Sequence, residues 1–219
     1  VYAHDDPNWY LSRFNTIGGS DVGALALQDF VAWEDIASLD RLYIRKIQES
    51  KMKPPTVEEA YGSMALSNRR RGPLYRGTVW EDHIRDSFAK DHPEFVVYHT
   101  AGQYIKAGSP WYKVNFDGVI GDKSDGKARG ILEIKTGGDP TKWANGLPLT
   151  YRAQTLYYLN ATGLDFAIVR GVINDGEIRD FKLYRSDEVF PGSGVTMDKY
   201  IDTKVLPWFE QLKAQRESA

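Results

Sequence analysis

Two acidic residues and a lysine in the second half of the chain have the residue types and spacing of a possible catalytic site. Asp117 is followed further along by Glu133 and Lys135, which are separated by one residue. Side chains alternate faces along a strand, so a strand here puts Glu133 and Lys135 on one face, and Leu132 and Ile134 on the other. The apolar pair can pack on a core. The charged pair is costly to bury without partners, so it predicts a site that meets solvent, a metal or a substrate.

The spacing also predicts that Asp117 and Glu133 lie side by side. We expect Asp117 to end a strand, and residues 121–130 to form a hairpin-like connection back to the Glu133 strand. Two adjacent carboxylates repel each other unless a cation lies between them. The chain has no cysteine, and hard oxygen ligands favour Mg²⁺, with Mn²⁺ as a substitute.

A lysine beside such a cation can orient or deprotonate a water, or stabilise charge that develops on a phosphate. These are the components of metal-assisted phosphodiester hydrolysis. The alternative from the residues alone is structural, because Asp-Gly is a common turn and Glu-x-Lys is common on an exposed strand.

Two further polar residues are candidates for the same site. Glu81 lies on a predicted helix over residues 77–90 and borders its apolar face. It either joins the acidic site or closes a capping box with Thr78 as N-cap. Gln154 lies on the helix predicted after the Glu133 strand, and is either a phosphate or water contact or a polar surface residue.

The remaining pattern predicts the elements that position these residues. The order indicates an α+β (mixed α/β) fold with a central mixed β-sheet flanked by helices. Predicted helices cover residues 21–27 (with Ser20 as N-cap), 36–49, 56–71, 77–90, 148–160 and 195–216 (kinked or split at Pro207), and predicted strands cover 95–100, 103–107, 111–120, 130–135, 166–173 and 177–184, the last two joined by Asn174-Asp175-Gly176.

Composition predicts an ordinary globular protein, with 42% hydrophobic and 26% charged residues. No apolar run reaches the roughly 18 residues of a membrane span, and no signal peptide is recognisable. We therefore expect a cytoplasmic protein without membrane contact. It would be a single domain over 1–219, with an N-terminal helical part (1–55), a sheet core (72–185) and a C-terminal helix (186–219). The net charge of −2 means that any cationic surface must be local.

Candidate nucleic-acid contacts are few. Arg69, Arg70 and Arg76 form a basic cluster before the Glu81 helix, and the cluster is either a solvated face or a phosphate contact. Trp143 either stacks on a base or lies buried.

Five motifs in order resemble those of the lambda-exonuclease/YqaJ-like viral recombinase family, a branch of the PD-(D/E)xK nucleases. The resemblance extends from about Arg13 to about Gly171. The motifs are Ile17-Gly18-Gly19-Ser20-Asp21, Arg76-Gly77-Thr78-Val79-Trp80-Glu81, Phe116-Asp117-Gly118, Leu132-Glu133-Ile134-Lys135-Thr136 and Tyr151-x-x-Gln154.

The resemblance implies a restriction-endonuclease-like core and a Mg²⁺-dependent nuclease that degrades one strand of duplex DNA from its 5′ end. Carried over by motif, Asp117, Glu133 and the backbone carbonyl of Ile134 would bind metal. Glu81 would support the metal, in part through water. Lys135 would assist the attacking water, and Gln154 would help to hold the site. Ser20 and Arg13 would contact the 5′-terminal phosphate.

The resemblance also implies DNA ends as substrate, a ring-shaped homotrimer, a single-strand annealing protein as partner, and a bacterial cytoplasm during phage infection. One departure is the bulky apolar stretch 25–33, where the family often has small residues. Two alternatives stay open at this point: a restriction-like endonuclease, and a non-catalytic DNA-binding module of the same fold.

Overall fold

The computed structural model describes residues 16–30, 56, 73–100, 103–137, 139–173 and 176–217. The helix predicted over 36–49 and all but the first residue of the one predicted over 56–71 lie outside these ranges. So do Arg13, Arg69 and Arg70.

A five-stranded mixed sheet forms the centre of the protein. Its strand order is β1-β4-β5-β6-β7, with β5 and β6 parallel and every other pair antiparallel. This arrangement confirms the predicted fold class. The strands are β1 (Phe95–His99), β4 (Gly118–Asp122), β5 (Ala128–Gly137), β6 (Phe166–Ile173) and β7 (Glu177–Tyr184), and a separate antiparallel pair consists of β2 (Tyr104–Ile105) and β3 (Lys113–Val114).

Helices cover both faces of the sheet. Successive side chains of a strand point to opposite faces, and apolar side chains on both faces need to be buried. On one face, helix α2 (Pro73–Asp91) packs Ile84 and Phe88 against Leu132 and Ile134 of β5. The predicted apolar face of the Glu133 strand is thereby confirmed. The other face carries helices α1 (Gly19–Phe30), α3 (Leu149–Thr162), α4 (Met197–Tyr200) and α5 (Leu206–Glu217).

Residues 111–120 do not form the single strand that was predicted. The chain changes sheets within this segment, since β3 pairs with β2 whereas β4 pairs with β1 and β5. Asp117 therefore immediately precedes β4 instead of ending a strand. The predicted hairpin is confirmed: β4 and β5 are antiparallel, and Gly118 is opposite Leu132.

Two predicted helix starts are wrong. Helix α2 begins at Pro73, earlier than the predicted Gly77, and proline suits a first helical position because its missing N–H needs no partner there. Thr78 therefore lies inside the helix, and the capping-box interpretation of Glu81 is wrong. Helix α1 begins at Gly19, so Ser20 lies in its first turn, and it is the Asp21 carboxylate that accepts the Gly18 N–H at 3.0 Å.

The C-terminal helix is interrupted close to the predicted position. A π-helical turn, Ile201–Val205, separates α4 from α5, and Pro207 follows in the first turn of α5. Proline has no N–H to donate back along the helix, so the regular bond pattern cannot continue through it. None of the helices in the described ranges is both long and apolar enough to cross a bilayer.

Candidate active site

The β4–β5 hairpin places the Asp117 carboxylate against the strand that carries Glu133 and Lys135. The Asp117 N–H donates to the Leu132 carbonyl at 3.2 Å, and Asp117 Oδ2 accepts the Ile134 N–H at 2.6 Å. A charge-assisted hydrogen bond of this kind fixes the side chain in place. The structure thus brings the two predicted carboxylates together through strand pairing.

Glu133 is almost completely buried, with an exposed fraction of 2%. Its Oε1 accepts hydrogen bonds from Lys135 Nζ at 2.5 Å and from Gln154 Nε2 at 2.9 Å. Its Oε2 is buried and has no hydrogen-bond partner. Burial and the nearby Asp117 carboxylate raise the pKa of Glu133 to about 8. A carboxyl group this buried is not an ordinary surface residue on an exposed strand, so that alternative is wrong for Glu133.

Lys135 is held as a cation. Burial alone would lower the pKa of its amine, but the Glu133 and Asp117 carboxylates outweigh burial, and the net shift is upward. Its Nζ also lies 5.3 Å from the centroid of the Tyr151 ring, which is within cation–π range. Of the roles considered for this lysine, the raised pKa favours neutralising charge or orienting a water over removing a proton.

Glu81 lies on α2, and Arg85 links it to Asp117. The guanidinium of Arg85 donates Nη2 to Glu81 Oε1 at 3.0 Å and Nε to the Asp117 carbonyl at 3.1 Å. Burial, followed by the Asp117 carboxylate, raises the pKa of Glu81 to about 7. Asp117 is thus a source of electrostatic repulsion for both Glu81 and Glu133.

Arg85 is a site residue that the sequence analysis did not select. It is only 7% exposed, and its Nη1 also bonds Asp82 Oδ1 at 2.6 Å. The sequence feature that could have identified Arg85 is its position four residues after Glu81, at the border of an apolar helix face. An arginine there must find buried partners, because an unpaired guanidinium in the core is very costly.

The donor set fits a hard divalent cation, although the side chains do not converge on one point. Within the described ranges, no three Asp, Glu or His side chains are grouped closely enough to hold a metal ion between them. Glu81 and Glu133 instead pair with the cations Arg85 and Lys135. The partnerless, buried Oε2 of Glu133 is the atom that fits an ion, since oxygen ligands suit Mg²⁺ and a buried carboxylate oxygen requires a partner.

Gln154 connects this site to the N-terminal glycine motif. Besides Glu133, its Nε2 contacts Tyr158 Oη at 2.8 Å. Gly19 lies directly over both side chains: a Cβ there would be 2.3 Å from Tyr158 Cε1 and 2.7 Å from Gln154 Cγ. The absence of a side chain at Gly19 therefore lets α1 approach α3 at the residue that holds Glu133.

We expect Gly19→Ala to lower both stability and any activity of the site. The added methyl must displace Tyr158 or Gln154, and overpacking a core of this kind costs about 1–3 kcal/mol. Thermal unfolding and a rate measurement on the same sample test this. Gly18→Ala is the matched control, because a Cβ at Gly18 meets nothing closer than 3.8 Å. Equal effects of the two substitutions would contradict the role assigned to Gly19.

Of the residues predicted to contact DNA, the structure describes Ser20, Trp143 and the backbone of Arg76. Ser20 is exposed in the first turn of α1, and its contact with DNA stays a prediction. Arg76 lies in α2, but its side chain is outside the described part of the structure.

Of the two alternatives for Trp143, burial is correct and stacking on a base is wrong. Its exposed fraction is 1%. It packs closely against Gly137 and Gly171 and against the rings of Tyr151 and Phe181. A ring enclosed in this way offers no face to a base.

Solved structures with the same fold include two of an alkaline exonuclease from Laribacter hongkongensis. Each is 17% identical to this chain, and the match covers 96% of this chain and 94% of the exonuclease. The TM-score is 0.65 for one and 0.63 for the other, which is a complex with dAMP. At this identity the likeness concerns the fold.

Comparison of sequences places the chain in a family. No curated protein matches it significantly. The profile of the YqaJ-like viral recombinase domain, however, matches residues 8–165. This range covers most of the chain, including Gly19, Glu81, Asp117, Glu133 and Gln154. The chain therefore belongs to the YqaJ-like viral recombinase domain family.

Proposed function

We propose that this protein is a Mg²⁺-dependent deoxyribonuclease that hydrolyses phosphodiester bonds of duplex DNA, acting from ends in the 5′ to 3′ direction during phage-type recombination. The observation that carries the proposal is the buried, partnerless Oε2 of Glu133, beside Asp117 and the Lys135 ammonium. Membership of the YqaJ-like family supports recombination as the setting. The fold shared with an alkaline exonuclease supports an exonuclease over other reactions.

In this proposal Glu133, Asp117 and the Ile134 carbonyl hold the ion, and Glu81 supports it. The ion would supply Lewis-acid stabilisation of phosphate charge and lower the pKa of a bound water. Lys135 contributes a fixed positive charge next to Glu133, which can neutralise a phosphate oxygen or orient a water. Mn²⁺ is expected to replace Mg²⁺, because both favour oxygen ligands.

Two other residues position this set. Gln154 holds Oε1 of Glu133, which leaves Oε2 as the oxygen without a protein partner. Arg85 ties the Asp117 main chain to Glu81, so α2 and the β4–β5 hairpin are held in fixed relation. Both are positioning residues in the proposal, since neither is assigned a contact with the substrate.

The proposal extends to the rest of the chain. We propose a single domain over 1–219 that acts in the cytoplasm, with Ser20 and Arg13 near the 5′-terminal phosphate. Arg69, Arg70 and Arg76 would contact the DNA backbone. A ring-shaped homotrimer and a single-strand annealing partner are proposed by analogy with the family. Size measurement by light scattering tests the trimer.

The function is tested by incubating end-labelled linear DNA and closed-circular DNA with the protein, in Mg²⁺ or in EDTA. We expect loss of linear DNA only, and only with Mg²⁺. Labels at the 5′ or the 3′ end distinguish the direction of digestion. Cutting of circles would instead indicate a restriction-like endonuclease. Binding of DNA without cleavage in Mg²⁺ would leave a non-catalytic module.

Mg²⁺ should stabilise the protein more at pH 9 than at pH 6. The folded-state pKa values of Glu81 (about 7) and Glu133 (about 8) lie above their ordinary value of 4.5. Without metal, the stability that these two groups contribute is therefore present below about pH 4.5 and is lost as the pH rises through 7 to 8. Metal binding requires the deprotonated carboxylates, so it restores stability in that same range.

With Mg²⁺ at about 100 times its Kd, the stabilisation would be about 2.7 kcal/mol, a Tm rise of about 5–10 °C for a domain of this size. Differential scanning calorimetry with and without Mg²⁺ at each pH measures it. Glu133→Gln, which cannot lose a proton, should flatten the response. A Tm shift of the same size at pH 6 and pH 9 would show that these carboxylates do not bind the ion.

A further inference from the structure

Strand β7 is an edge of the central sheet, and no strand of the described ranges pairs with its outer side. The Tyr184 N–H donates to Asp187 Oδ2 at 3.0 Å, and the Tyr184 carbonyl accepts the Asp187 N–H at 2.9 Å. The main chain of Tyr184 therefore points away from β6. Because main-chain groups alternate sides along an antiparallel strand, those of Ile178, Asp180 and Lys182 also point to the open edge.

The side chains at these alternate positions share one face of β7. Ile178 and Tyr184, near the two ends of this face, are 46% and 49% exposed, and the oppositely charged Asp180 and Lys182 lie between them, also exposed. Strand β7 contains no proline, and its pairing with β6 has no register shift. A regular edge of this kind, without the bulge or proline that often protects an edge, is a template for another strand.

The order of these four residues is complementary to itself when the strand is reversed. If two copies of β7 pair antiparallel with Phe181 opposite Phe181, Asp180 of each copy lies opposite Lys182 of the other. Ile178 then lies opposite Tyr184. Opposite charges and aromatic–β-branched pairs are both favourable across strands. Moving the centre by one residue places Asp180 opposite Asp180, or Lys182 opposite Lys182, and like charges directly opposite destabilise. The charges therefore select one register.

We propose that β7 pairs antiparallel with β7 of a second copy of this chain, about a two-fold axis at Phe181, so that the two central sheets become one continuous sheet. Each Asp180–Lys182 pair exchanges two main-chain hydrogen bonds, since the outward groups of both residues face each other. The Asp180 carboxylate keeps its bonds to Arg170, because each carboxylate oxygen accepts more than one donor.

This two-fold contact uses the same surface on both copies. It is therefore closed, and it differs from the head-to-tail contacts that form a ring. It can join two single chains or two rings. Strand β6 lies between β7 and the strand that carries Glu133, so the contact goes beyond the proposed nuclease function and leaves the acidic site unchanged.

The mass in solution tests the contact. It is measured by light scattering over a range of protein concentrations, without DNA or metal, and we expect species with an even number of chains. Lys182→Glu turns both opposite-charge pairs across the axis into like-charge pairs, so the Kd of association should rise about 10- to 100-fold. Lys127→Glu is the matched control. It changes the net charge equally, its side chain is 73% exposed, and it directly precedes β5, two strands away from β7.

A single introduced cysteine tests the register. The chain has no cysteine, so one new thiol can form a disulfide only with a second copy. Phe181 would lie opposite itself in a non-hydrogen-bonded pair, with Cα atoms about 4.5 Å apart, which a disulfide can span. Phe181→Cys should therefore give a linked pair on a non-reducing gel after oxidation. Tyr184→Cys is the control, because the two Tyr184 residues would lie about 20 Å apart, six residues along the strand.

Phe181 packs against Trp143, so circular dichroism must show that Phe181→Cys is folded. If it is not, the comparison of Lys182→Glu with Lys127→Glu decides the question. Masses of only one or only three chains, equal effects of the two charge substitutions, or no more disulfide in folded Phe181→Cys than in Tyr184→Cys would overturn the inference. None of these measurements uses DNA or Mg²⁺, so their outcome is independent of whether the protein proves to be a nuclease.

Discussion

Replacing Lys135 by alanine is expected to lower the rate of DNA hydrolysis about 100- to 10,000-fold, without unfolding the protein. Two effects act together. The positive charge beside the phosphate is lost. In addition, Glu133 loses the ammonium that lowers its pKa, so this pKa rises further above about 8 and a metal ion must displace a more tightly held proton. Single-turnover digestion of linear DNA, with the enzyme in excess, measures the rate.

The expected pattern across variants separates these effects. Lys135→Arg keeps the charge but changes the geometry of its donors, so it should restore the ionisation of Glu133 and only part of the rate. Lys182→Ala is the matched control. Its Nζ lies 4.5 Å from the Phe166 ring, an arrangement like that of Lys135 over Tyr151 but on β7. A Lys135→Ala rate within tenfold of wild type would remove Lys135 from the catalytic machinery.

Replacing Arg170 by alanine should produce the largest loss of stability. Arg170 is 1% exposed on β6. It donates Nε and Nη2 to the two carboxylate oxygens of Asp180, at 2.9 Å and 2.7 Å, and pairs with Asp91 at 2.9 Å. Its guanidinium also lies 4.9 Å from the centroid of the Phe88 ring. It thus joins the end of α2 to β6 and β7.

Breaking a buried ion pair by removing one partner costs about 3–5 kcal/mol. We expect about 3 kcal/mol here, because Asp91 is half exposed and remains solvated. That loss corresponds to a Tm decrease of about 6–12 °C. Urea unfolding measures the free energy. The double variant Arg170→Met/Asp180→Leu should recover most of it, since no buried charge is left unpaired. Equal stability of Arg170→Ala and wild type would mean that the pair contributes nothing.

Burial of Asp180 alone would raise its pKa, but hydrogen bonds from Arg170 and His92 outweigh burial and lower it. Asp180 therefore contributes stability at pH values above its ordinary pKa, and this contribution is lost as the pH falls through the lowered folded-state pKa. In Arg170→Ala, the part of this acid dependence that comes from Arg170 should disappear. The pH dependence of the free energy of unfolding is therefore a second measurement that detects the Arg170–Asp180 ion pair.

Local patterns in the sequence were sufficient for the fold class and the family. The strands Phe166–Ile173 and Glu177–Tyr184 were predicted at their observed bounds, because a turn signal separates two runs of strand-forming residues. The alternation around Glu133 placed Leu132 and Ile134 on a core face. Such features depend on neighbours in the chain, so the sequence by itself determined them.

Only the tertiary structure decided which long-range partners these residues meet. The capping-box pattern at Thr78 and Glu81 is local, yet α2 begins at Pro73 and Glu81 pairs with Arg85. Trp143 and Trp80 are the same residue type, but Gly137 and Gly171 leave room for the Trp143 ring, whereas Trp80 is 58% exposed. Burial, the orphaned oxygen of Glu133 and the contact of Gly19 with Tyr158 arise from packing between distant segments, and no local pattern encodes that packing.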